Sequence, residues 1–109
     1  MSREEFIAAA LRLIDARVDQ LYGLTVEQAK ALPEVVGADQ TIAGYKASIT
    51  TFRQDSPCDE LNGMTLITVL VARPRWFGIS AHHIERGLVF APDGTVREAT
   101  QRELENSGG

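Results

Sequence analysis

Ten consecutive residues, MTLITVLVAR from Met64 to Arg73, constrain the fold of this 109-residue chain more than any others. Side chains alternate across a strand, so Met64, Leu66, Leu70 and Ala72 share one face while Ile67, Val69 and Val71 share the other. Only Thr68 interrupts the first set. A strand apolar on both faces belongs inside a sheet, with apolar matter against each surface. Every large side chain left wet would forfeit about 1.5–3 kcal/mol.

The neighbouring segments supply part of that cover. Ser2-Arg3-Glu4-Glu5 has the spacing of a capping box, opening a helix whose apolar positions Ile7, Ala10, Leu11, Ile14, Val18 and Leu21 recur every three or four residues. Phe6, Leu13 and Tyr22 widen the stripe, and Gly23 is placed to end the helix in a left-handed conformation. Thr25-Val26-Glu27-Gln28 repeats the capping pattern for a short second helix, which Pro33 stops. Residues 34–40 then read as a connector that turns at Gly37.

Beyond the connector the period changes to two. A first strand is predicted over 41–54, with Ala43, Tyr45, Ala47 and Ile49 on its core face. Phe52 has the wrong parity for that face, which requires either a bulge near Thr50-Thr51 or an exposed or intermolecular role for the ring. The central strand follows, then a strand over 76–91 with a bend at Gly87, a Pro92-Asp93-Gly94 turn and a short strand over 95–99. Thr100-Gln101-Arg102-Glu103 is a third capping box, for a terminal turn carrying Leu104 inward. The expected fold is α+β: an N-terminal helix and a short second helix on a curved four-stranded antiparallel meander sheet, ending in a short helical turn. Residues 1–105 form one domain on this reading and 106–109 a flexible tail.

One helix covers one face of a sheet. The second apolar face of the central strand is therefore expected to meet the short helices, the sheet's own curvature or another copy of the chain, and a homodimer through the sheet is the favoured expectation. A single cysteine, Cys58, excludes an internal disulfide and fits a reducing, cytoplasmic setting. The charged helix flanks argue against a signal peptide, and no run reaches the roughly 20 apolar residues of a membrane span. A net charge of −4, with both signs mixed along the chain, argues against binding a nucleic-acid backbone. No membrane or nucleic-acid partner is expected, and no cofactor.

Three groups of residues could carry function. Arg73, Arg75 and Trp76, with Arg86 further along, place guanidinium groups beside an indole, a combination that grips anions or anchors a protein partner and that also occurs as ordinary turn structure. Tyr45, His82, His83 and Glu85 could line a ligand-binding or enzymatic pocket between the first helix and the sheet, although adjacent strand histidines point to opposite faces and cannot readily share a metal. Cys58, in Ser56-Pro57-Cys58-Asp59, could sit at the start of a helical turn. Asp55, Asp59 and Glu60 around it disfavour a thiolate. No catalytic set or metal site emerges, so a binding domain that engages a protein partner stands ahead of an enzyme.

Gln40-Thr41-Ile42-Ala43-Gly44 is similar to the QxVxG segment of the cystatins, cysteine-protease inhibitors built from a helix wrapped by an antiparallel sheet. Arg75-Trp76, in a later hairpin loop, resembles that family's Pro-Trp pair with the residue order changed. The resemblance covers these residues alone. A helix and a proline connector precede the segment where the family has a strand, and the family's paired disulfides have no counterpart here. It implies a helix-on-curved-sheet shape and, as a third alternative, protease inhibition.

Overall fold

The computed structural model describes residues 3–42, 44–74 and 81–106. Helix α1 (Arg3–Tyr22) and the short α2 (Val26–Lys30) precede a sheet of five strands: β1 (Val35–Ile42), β2 (Tyr45–Asp55), β3 (Thr65–Pro74), β4 (Ala81–Phe90) and β5 (Val96–Glu98). A 3₁₀ turn, Asp59–Leu61, lies between β2 and β3, and α3 (Gln101–Asn106) closes the described chain. The strands pair antiparallel in sequence order, as short links between neighbours require. β3 is the middle strand.

The sheet has five strands where four were expected, because the predicted connector and its Gly37 turn are in fact β1. Seven of the eight β1 residues are exposed, so no alternation of apolar and polar residues marks it as a strand. Pairing with β2 runs without a break from Val35 opposite Phe52 to Ile42 opposite Tyr45. The chain reverses not at Gly37 but beside Gly44, whose φ of 83° is open to glycine without a steric penalty.

Helix α1 lies across β3 and β4, and α2 over β2 and β3. Phe6, Ala10, Ile14, Val18 and Leu21 are buried against Ile67, Val69 and Val71 of β3 and Leu88 and Phe90 of β4. The four-residue step from Phe6 to Val18 sets the contact line. Leu11 and Tyr22, expected on that stripe, remain 39% and 44% exposed. Gly23 does not take a left-handed conformation: the helix ends in a tight turn in which Gly23 N–H donates to Gln20 O and Leu24 N–H to Leu21 O. The second capping box is formed, with Gln28 N–H donating to Thr25 Oγ1 at 3.1 Å and Thr25 N–H to Gln28 Oε1 at 2.9 Å.

The reverse face of β3 is covered over half its length. Leu66 packs with Val89, with Leu61 of the 3₁₀ turn and with Leu104 of α3 in a second buried cluster. Thr100 and Glu103 form the predicted reciprocal cap, Thr100 N–H donating to the Glu103 carboxylate at 2.9 Å and Glu103 N–H to Thr100 Oγ1 at 3.2 Å. Gly87 admits α3 to this position: a Cβ there would lie 2.8 Å from Leu104 Cδ2 and 3.1 Å from Ile67 O. Arg97 fixes the helix by a two-pronged ion pair to Glu103, at 2.7 and 2.6 Å. That pairing leads the hydrogen bonds and charges that draw the Glu103 carboxyl down to about 2 against the opposing effect of burial.

Candidate functional site

The register places Val35, Phe52, Thr68 and Gly87 in one row across the face away from α1, and Gly37, Thr50, Leu70 and Glu85 in the next. A third row runs Asp39, Ser48, Ala72. Helix α3 sits over the Leu66 and Gly87 end of this face, and among the described residues no helix lies above the other end. There Phe52, Thr50, Ser48, Leu70, Ala72 and Glu85 are each half-buried, and Val35 is 59% exposed. Pairing of β2 with both neighbours is continuous, so no bulge corrects the parity of Phe52. The ring stands on the open face, as the second of the two expectations for it holds.

This open face continues into an open edge. A strand at a sheet margin presents a row of unpaired backbone groups, which stable proteins blunt by shortness, charge or cover. β5, at one margin, is three residues long, two of them charged, and leads into α3. β1, at the other, has eight residues, with Val35 and Val36 59% and 43% exposed and a single charge, Asp39.

Arg86 occupies the helix-side face of β4. Its Nε donates to Glu98 at 2.6 Å and a terminal N–H donates to Asp15, so one guanidinium ties α1 and β5 to β4, and the hydrogen bond it donates to Glu98 leads the effects that raise its pKa. It stands five strand residues, about 16 Å along β4, from Ala81. Arg75 and Trp76 lie outside the described residues, and Arg73 is placed by its backbone, opposite His82. His83 is opposite Ala72 and Glu85 opposite Leu70, while Tyr45 is opposite Ile42. Glu85 therefore belongs to the face away from α1. Between α1 and the sheet, the described residues form packed core.

Cys58 precedes the 3₁₀ turn without a side-chain capping bond and packs, half-buried, beside the Leu61 cluster. Ser56 does not cap this turn. With φ at 48°, it closes the loop instead, donating its N–H to Met64 O at 2.8 Å while its hydroxyl accepts from Gly63 N–H at 2.9 Å. Asp55 is held at the mouth of this loop by Thr65 Oγ1, at 2.9 Å, and by Arg53. Loss of solvent around the carboxyl opposes ionisation, but these hydrogen bonds and the charges of Arg53 and Lys30 together outweigh it and lower its pKa.

An open groove of about 530 Å³ lies at the β1–β2 hairpin end, its described lining being Asp39, Gln40, Thr41, Lys46, Ala47 and Ser48. Gln40 to Ile42 end β1 and Gly44 leads into β2, so the segment similar to QxVxG straddles a hairpin. A strand precedes it, not the connector that was expected. Pro74 and Ala81, which flank the connection holding Arg75 and Trp76, lie at the same end of the sheet. No helix among the described residues is long and apolar enough to cross a membrane. The chain matches no protein-family model, no curated protein and no solved structure.

Proposed function

We propose that the protein is a non-enzymatic interaction domain that self-associates through its sheet and offers the remaining open surface to a protein partner. One observation carries this reading: a long exposed edge, β1, is continuous with a face on which Phe52 and Leu70 are left half in water. Apolar surface of this kind on a small sheet is what an interface covers. The tight packing of α1 against β3 and β4 favours it over the pocket alternative, which needs open space there. Arg73, Arg75 and Trp76 then serve as an anchor for the partner, while Arg86 is engaged within the fold.

Sedimentation velocity over a micromolar to submillimolar series tests the reading. A concentration-dependent dimer is expected, and a chain that stays monomeric throughout contradicts it. Paired alanines at Arg75 and Trp76 should abolish capture of a partner and leave the fold intact.

A second reading is favoured by the β1–β2 hairpin, which holds the segment similar to QxVxG, lying at the same end of the sheet as Pro74 and Ala81, the described residues on either side of Arg75 and Trp76. It is inhibition of a cysteine protease through these residues, as the resemblance to cystatins implies. Inhibition of such a protease by the purified protein would support it; undiminished cleavage at high molar excess would discard it.

A further inference from the structure

We infer that β1 pairs antiparallel with β1 of a second copy, with Ala38 on the two-fold axis, so that two five-stranded sheets join into one of ten. This rests on the self-association proposed above and specifies its surface and register. The hydrogen-bond direction follows from β2. Arg53 N–H donates to Glu34 O at 2.9 Å, in the register that sets Val35 opposite Phe52. Partners in an antiparallel ladder alternate between bonded and non-bonded pairs, so Glu34, Val36, Ala38, Gln40 and Ile42 exchange bonds with β2. The N–H and C=O groups of Val35, Gly37, Asp39 and Thr41 point outward. Among the described residues no strand runs beside them.

A two-fold axis through Ala38 matches this outward row to itself. Val35 meets Thr41 of the second copy and Gly37 meets Asp39, giving four bonded pairs and about eight hydrogen bonds. Moving the axis to Gly37 leaves Thr41 opposite Pro33, which has no N–H to give, and moving it to Asp39 sets two carboxylates face to face. With Ala38 at the centre, small side chains meet at the closest approach, and each Asp39 faces a residue without a side chain. The β-branched Val35 and Thr41 form the outer pairs. Both copies keep α1 on the same side of the joined sheet, because every pairing is odd with odd or even with even. β5 offers no comparable row.

The register makes Ala38 its own neighbour across a non-bonded pair, with Cα atoms about 4.5 Å apart, within the range a disulfide spans. The test uses the full chain carrying Cys58→Ser, with Ala38→Cys or Val36→Cys added. Val36 would face Gln40 of the second copy and lie about 13 Å along the strands from its own counterpart. Mild oxidation should convert most of the Ala38→Cys protein to a covalent dimer and leave the Val36→Cys protein unlinked. Asp39→Pro, which removes an outward N–H and no bond to β2, should weaken the dimer at least tenfold while the circular dichroism spectrum is unchanged. A dimer by sedimentation that resists linkage at Ala38, links equally at Val36, or tolerates Asp39→Pro would overturn the edge pairing and leave self-association standing. A monomer at every concentration would overturn both.

Discussion

Replacing Glu103 with Gln should remove the pH-sensitive part of the grip that α3 has on the sheet. The Glu103 side chain is 9% exposed and accepts two hydrogen bonds from Arg97 and one from Thr100 N–H. Its carboxyl is drawn from 4.5 to about 2 in the folded state, chiefly by Arg97. By linkage that difference corresponds to roughly 3 kcal/mol, and screening at the half-exposed Arg97 reduces it to about 2 kcal/mol. A carboxyl lowered by folding stabilises the protein fully above its unfolded value and ceases to do so as the pH falls through its folded value. Urea denaturation of the wild type and Glu103→Gln should therefore differ by about 2 kcal/mol at pH 7, and the difference should shrink between pH 5 and pH 2. Asp55 and Glu98, also lowered, titrate in both proteins and cancel in the comparison. Gln keeps an oxygen for the Thr100 cap, so helix α3 itself should survive. A difference that stayed constant across this range would refute the assignment of the stability to the Arg97 pairing.

Three further outcomes follow from the packing. Gly87→Ala should cost about 1–3 kcal/mol in thermal or urea unfolding, because the added methyl meets Leu104 and a backbone oxygen of β3. Thr25→Ala should cost about 1 kcal/mol by removing the cap of α2, and Thr25→Ser should restore most of it. Val69→Thr should destabilise the fold by about 1–3 kcal/mol, since the new hydroxyl would be buried among α1 side chains. Equal stability of Val69→Thr and wild type in a denaturant titration would count against β3 as the centre of the core.

What the sequence discloses and what it hides divide along burial. Residues 64–73 identify the middle strand because both of its faces are apolar, and both faces do find cover over its Leu66 half. The Thr25 and Thr100 caps are readable because their chemistry is local, closing within four residues. β1 is hidden because an exposed edge strand is under no demand to alternate. Val35-Val36-Gly37-Ala38 therefore looks like a connector until β2 is seen beside it. The cover that Leu61 and Leu104 give to Leu66 depends on contacts across many residues, and only the Thr100 box and the glycine at position 87 signal it. At the candidate site, Phe52 is the residue whose misplaced parity pointed to the open face. Arg86 illustrates the converse, an arginine suited by type to binding that is instead engaged by Asp15 and Glu98.

Residue-resolved hydrogen exchange at two protein concentrations tests the central claim most directly, that β3 is the middle strand of the core while β1 carries the surface for association. The amides of Ile67, Val69 and Val71 should exchange slowest of all at both concentrations. Those of Val35, Gly37, Asp39 and Thr41 should exchange freely when dilute and become protected when concentrated. Exchange in β3 as fast as in β1, or β1 amides indifferent to concentration, would contradict the account.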